Sequence, residues 1–155
     1  MSENLAALSV SIREISGVHA ACIDYLPPAG QADMHNEIHV CFERLQGWAK
    51  ALGLDPSVLL HIGIPVVRDG QLLKYECCVQ VPGNIHAAPQ DILVKDLPGG
   101  HYAVLSMQKD PAVIGESIGR LYQEYLPQNG LELDEIRPTY EIYYETTMEY
   151  CVPVP

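Results

Sequence analysis

Two stretches of this chain repeat each other in order, and that duplication restricts the possible folds more than any single motif does. Gly17-Val18-His19-Ala20-Ala21-Cys22-Ile23 lines up with Gly99-Gly100-His101-Tyr102-Ala103-Val104-Leu105, sharing Gly, His and Ala and keeping the last two positions apolar. Glu76-Cys77-Cys78-Val79-Gln80-Val81-Pro82 lines up with Glu149-Tyr150-Cys151-Val152-Pro153-Val154-Pro155, where Glu, Cys, both Val and the final Pro are identical. A repeat of this kind means that one supersecondary unit occurs twice, and that neither copy buries its apolar face alone.

The elements between these anchors also recur. Each copy opens with a β-rich stretch, Val10 to Tyr25 and Ile92 to Met107, broken by Ser16-Gly17 or Pro98-Gly99-Gly100 and expected to form a hairpin or a bent strand. A helix follows in each, with Ile38, Phe42, Leu45, Ala49 and Leu52 at spacings of three and four in the first, and Ile114, Ile118, Leu121 and Tyr125 in the second. Gly53 and Gly130 stop these helices. Two strands close each copy, Leu60 to Val67 with Lys74 to Val81 and Pro138 to Tyr144 with Glu149 to Val154; Arg68-Asp69-Gly70 is a hairpin turn. The expected fold is α+β: a duplicated β-α-β-β unit with pseudo-twofold symmetry, forming an antiparallel sheet with two main helices. It is expected to be one domain over residues 1–155, with repeats at about 8–84 and 90–155 joined by the turn-rich Gly83 to Gln90. A cleft between the repeats is the expected ligand site.

Composition narrows the function. Lys and Arg number 9 against 20 Asp and Glu, and the net charge of −11 repels phosphate backbones, so no direct nucleic-acid binding is expected. No apolar run approaches the ~18 residues of a membrane span, and the start lacks a basic segment, so the expectation is a cytoplasmic protein without membrane contact. Cys22, Cys41, Cys77, Cys78 and Cys151 are odd in number, lack a C-x-x-C and lie mostly in apolar runs, which points to reduced core thiols. Cys77 and Cys78, adjacent on a strand, should face opposite ways.

Glu141 is the sharpest candidate for chemistry. Strand alternation puts Thr139, Glu141 and Tyr143 on one face and Tyr140, Ile142 and Tyr144 on the other, so a carboxylate stands beside a polar aromatic ring. Such a pair suits a desolvated organic cation, with the rings adding ~0.5–2 kcal/mol of cation–π attraction. The bland alternative is a solvent-facing glutamate on an outer strand. Tyr143, Tyr122, Tyr102 and Trp48 are candidate pocket walls; Tyr125 follows the apolar stripe of its helix and reads as core. Asp33, His35, Glu37 and His39 place two histidines four apart, but the acid sits at the wrong offset for H-E-x-x-H, and a solvated helix start is the better reading. His19 and His101 hold the same place in each repeat, as a structural hydrogen bond or a proton-transfer pair. No nucleophile elbow, phosphate loop or dinucleotide fingerprint occurs, so no metal and no cofactor are expected.

The run Leu126-Pro127-Gln128-Asn129-Gly130, then Arg137-Pro138-Thr139-Tyr140-Glu141-Ile142-Tyr143, then Cys151-Val152-Pro153-Val154-Pro155, resembles the GyrI-like small-molecule-binding domains. That family includes effector-binding domains of AraC-type and MerR-type multidrug regulators and stand-alone gyrase-inhibitory proteins. Leu45-Gln46-Gly47-Trp48-Ala49, Ile62-Gly63-Ile64, Cys78-Val79 and Leu97-Pro98-Gly99-Gly100-His101-Tyr102-Ala103 fall in the family's order, and Pro138-x-Tyr140-Glu141-x-Tyr143 is the most specific element. The resemblance implies a stand-alone module whose aromatic pocket takes an amphipathic, cationic small molecule, with Glu141 as its acidic residue. It implies two alternatives as well: a hydrolase of cyclopropane-bearing toxins, in which Glu141 would activate or stabilise and a Tyr hydroxyl take part in acid–base work, and a gyrase-inhibitor-like role with a protein partner. Two features depart from the family. Its Gly-Pro-Tyr before each helix is replaced by Asp110-Pro111-Ala112 and Pro28-Ala29-Gly30-Gln31, and Tyr122 or Tyr125 stands where a Trp is common, leaving Trp48 the only tryptophan. The duplicated unit occupies the 155 residues, so no fused helix-turn-helix is expected among them.

Overall fold

The computed structural model describes residues 8–27 and 34–155, with the side chains of 34–36 excepted. Asp33 and the side chain of His35 therefore lie outside the described residues, as do Pro28 to Gln31; among the described residues no group of three metal-ligating side chains forms. The strands are β1 (Ser9–Ile15), β2 (Val18–Tyr25), β3 (His61–Arg68), β4 (Gln71–Gln80), β5 (Leu93–Leu97), β6 (Gly100–Gln108), β7 (Tyr140–Tyr143) and β8 (Thr147–Pro153). The main helices are α1 (Met34–Ala51) and α2 (Pro111–Arg120). The class is α+β with antiparallel pairing within each of the two compact units into which the chain divides.

The first unit, Ser16–Gly99, has strand order β3-β4-β2-β5. One face of this sheet carries Ala21, Tyr25, Tyr75, Cys77 and Val79, and α1 covers it with Leu45, Trp48 and Phe42. Leu45 and Ala49 are fully buried and stand four apart, as an apolar helix stripe requires. Gly53 ends α1 at φ 87°, where the Leu54 N–H reaches back to the Ala49 carbonyl at 3.0 Å. Asp69 and Gly70 both take positive φ, 54° and 76°, which is what the tight turn between β3 and β4 demands.

The second unit joins the described residues through Ile15 to Gly100–Pro155, in strand order β1-β6-β8-β7. Its core is Leu105, Met107, Met148, Tyr150 and Val152 from the sheet, with Leu121 and Leu126 from the helical segment. The Asp110 side chain caps α2 by accepting the Ala112 N–H at 3.0 Å, with Pro111 in the first turn. Gly130 at φ 65° ends the helical segment.

Of the two forms expected for the stretches Val10 to Tyr25 and Ile92 to Met107, the hairpin is not taken and the bent strand is: β1 pairs with β6, and β2 pairs with β4 and β5, so neither stretch folds back on itself. The joint at Ser16-Gly17 holds no residue of positive φ, so the primed turn a two-strand hairpin needs is not formed and the chain runs on. Each half thus contributes its first strand to the unit built from the other half.

All five cysteines are free, and every one but the half-buried Cys41 is buried. Burial pushes the thiols of Cys77 and Cys41 up, and that of Cys151 up to about 12, as inert core thiols require. Among the described residues no helix is long and apolar enough to cross a membrane.

Candidate functional site

The candidate site is built on β7. Its alternation is as the sequence predicts: Tyr140 and Ile142 are buried on one face, while Glu141 and Tyr143 stand half-buried on the other. Directly opposite on β8, Glu141 faces Tyr150 and Tyr143 faces Met148, so these four side chains share a face. The Tyr143 hydroxyl donates to Glu141 Oε1 at 2.8 Å. The hydroxyls of Tyr122 and Tyr150 share a hydrogen bond at 2.8 Å, their rings edge to face with centroids 6.1 Å apart. Burial foremost, and then Tyr122 and the charge of Glu141, hold the Tyr150 hydroxyl far above its ordinary range, so this phenol stays neutral and keeps its hydrogen bond to Tyr122. The result is one carboxylate among three tyrosines, on the face of the sheet that packs against the helical segment.

Of the residues singled out by sequence, Glu141, Tyr143 and Tyr122 are thus brought together through Tyr150, which sequence reasoning missed. The missing signal was its register: only the pairing of β7 with β8 puts Tyr150 across from Glu141. Tyr102 is elsewhere. It is fully buried on the opposite face of the second sheet, stacked on Tyr140 at 5.3 Å, with its hydroxyl donating to the Pro138 carbonyl at 3.1 Å. The Arg137 guanidinium lies over its ring, 5.0 Å from the centroid, and bonds Asp134 and the Val154 carbonyl. Gly100, at φ 132°, is required beside it, because the guanidinium occupies the space a Cβ would need. Trp48 belongs to the core of the first unit, with Leu45 and Tyr75. Tyr125 is half-buried and packs against the second core.

The first unit does not repeat this chemistry. Gly63 faces Cys77 there in the register in which Glu141 faces Tyr150, and the end of the Tyr75 side chain fills the place a Cβ on Gly63 would take. A surface recess of about 330 Å³ lies beside α2 between Leu105, Met107, Val113 and Arg120, and holds none of the tyrosines around Glu141. The convergent polar groups at Glu141 are the better guide to a binding site.

The histidines at equivalent places make equivalent backbone bonds: Val81 N–H to the His19 carbonyl at 2.9 Å, and Val154 N–H to the His101 carbonyl at 3.1 Å. Only His19 has a side-chain network, with Nδ1 2.6 Å from Asp96 Oδ1 and Nε2 2.6 Å from the Ile85 carbonyl. Both partners are acceptors, so the contacts favour the imidazolium, which can donate from both nitrogens. Its pKa is raised accordingly, first by the Ile85 carbonyl and then by Asp96. This is a structural tie. His39, the described member of the histidine pair, lies 3.3 Å from Glu43 one helical turn on.

A family model described as the GyrI-like small-molecule-binding domain matches residues 27–155. Among curated proteins none matches this sequence. The C-terminal domain of EcmrR superposes with a TM-score of 0.75 at 15% identity, covering 97% of this chain and 99% of that one. The EcmrR chain in a DNA complex gives 0.77 at 16% identity; 98% of this chain is covered, but it spans only 59% of that chain's length. SAV2435, solved bound to tetraphenylphosphonium, gives 0.58 at 18% identity with 95% and 94% of the two chains covered. At these identities the structural likeness is one of fold, and it agrees with the sequence match: the chain belongs to the GyrI-like small-molecule-binding domain family.

Proposed function

We propose that the small molecule bound here is an amphipathic organic cation, taken at Glu141 with Tyr143, Tyr150 and Tyr122 as its aromatic surround. The observation that carries this reading is the Tyr143 to Glu141 hydrogen bond facing Tyr150 across the strand pair. A carboxylate with tyrosine rings beside it offers a cation both a counter-charge and quadrupole attraction, and a half-buried setting strengthens each relative to water. The net charge of −11 favours the same sign of ligand and disfavours phosphate-rich partners. That SAV2435, of the same fold, was solved with a lipophilic phosphonium cation supports the reading. The protein then acts as a cytoplasmic sensor or sequestering module without contacting nucleic acid itself. A thermal-shift screen with matched cationic, neutral and anionic aromatics, followed by mass spectrometry of each mixture, tests it. Stabilisation by cations recovered intact is expected; stabilisation by anions or neutral compounds alone contradicts it, and a chemically altered ligand replaces binding with hydrolysis.

A further inference from the structure

Beyond α2 the helical segment does not continue as an α-helix. Leu121–Tyr125 forms a π turn, closed by the Leu126 N–H donating to the Leu121 carbonyl five residues back. Such widened turns are rare and recur at functional sites, and this one carries Tyr122, the residue whose hydroxyl meets Tyr150. Its cause is in the sequence. Pro127 follows immediately, and within an α-helix its ring would press on the carbonyl four residues back, that of Gln123, while supplying no N–H. The wide turn relieves that clash. It also rotates Leu126 toward the core, so that Leu121 and Leu126 are both buried and Tyr122 and Tyr125 fall between them.

We propose that Pro127 is a positioning residue for the ligand site: it holds the chain in the wide turn at Leu121–Tyr125 and so presents the Tyr122 hydroxyl to Tyr150 beside Glu141. The proposal rests on the reading of the Glu141 cluster as a binding site, and it adds that the aromatic wall is set by a backbone irregularity rather than by side-chain choice alone. A regular helix at the same place gains stability and loses the wall. Stability and binding therefore move in opposite directions, which a residue of merely structural value does not produce.

The test compares Pro127→Ala, Tyr122→Phe and the double variant by calorimetric titration with tetraphenylphosphonium and by thermal melting. Pro127→Ala should melt at or above the wild-type temperature yet bind about fivefold more weakly, the scale of one hydrogen bond, as should Tyr122→Phe. The double variant should lose no more than either alone, because both act through one contact. Wild-type affinity in Pro127→Ala, or losses that add, would overturn the proposal. Deletion of Gln123, which returns the turn to α register, is the second variant should Pro127→Ala fold poorly, with the same expectation for binding. If wild-type protein ignores tetraphenylphosphonium, the cation reading fails, and a crystal structure of Pro127→Ala decides this proposal separately. It should show an α turn with the Tyr122 and Tyr150 hydroxyls out of hydrogen-bond range, and a retained contact would refute it.

Discussion

Arg13 on β1 donates to Glu149 on β8 at 2.6 Å, and the pair has an exact counterpart in which Lys95 on β5 meets Glu76 on β4 at 2.5 Å. Arg13 and Lys95 are equivalent in the duplicated sequence, as are Glu76 and Glu149, so each first strand carries its cation to the carboxylate of the other repeat. The two pairs differ in burial. Glu76 is nearly inaccessible, with Lys74 at 3.6 Å as its only other cation among the described residues, whereas the Arg13 side chain is 46% exposed. Lys95→Ala should therefore cost ~1–3 kcal/mol by leaving a buried carboxylate underpaired. Arg13→Ala should cost less than about 1 kcal/mol. Urea denaturation of both variants measures the order, and equal costs would contradict it.

Gly100 is fixed by Arg137. An alanine there must adopt φ near 132° and displace the guanidinium from above Tyr102. Gly100→Ala should lose ~1–3 kcal/mol from backbone strain alone. Gly47→Ala, on an exposed helix position with no neighbour within 4 Å, should instead be neutral or gain up to ~1 kcal/mol. Thermal melts of the two variants give the comparison directly.

Much of this architecture is legible in the sequence. The repeat anchors locate the equivalent strands, the apolar spacing from Ile38 to Ala49 locates α1, and period-two alternation orients Glu141 and Tyr143 together. Three things are not legible, each for a physical reason. The exchange of β1 and β5 depends on whether Ser16-Gly17 closes a turn, and its residue types allow either path. Tyr150 joins the site through strand register, a non-local property. The π turn arises from Pro127 acting on a carbonyl four residues earlier, whereas a periodicity of 3.6 carries the helix straight on through Tyr125.

His19 makes stability depend on pH. Its pKa is raised in the folded protein above the ordinary 6.5, so the stabilisation is complete below that value and is lost as pH rises through the folded pKa. On deprotonation one ring nitrogen presents a lone pair to Asp96 or to the Ile85 carbonyl. The melting temperature should fall across this interval above pH 6.5, and His19→Gln should flatten that slope. An unchanged slope in His19→Gln would place the titration elsewhere.

Tyr143→Phe removes the hydroxyl that holds Glu141 Oε1 while keeping the ring. Cation affinity should drop about three- to tenfold, the scale of one hydrogen bond, with little change in melting temperature. Calorimetric titration and melting of the same preparation check both halves of that statement.

The most direct measurement is a calorimetric titration of tetraphenylphosphonium into wild-type protein and Glu141→Gln. Glutamine keeps the shape and removes the charge, so the site should remain folded and lose at least tenfold in affinity for the cation, about 1.4 kcal/mol. Equal affinity in the two proteins would show that Glu141 is not the counter-charge, and the assignment of the site to β7 would fall with it.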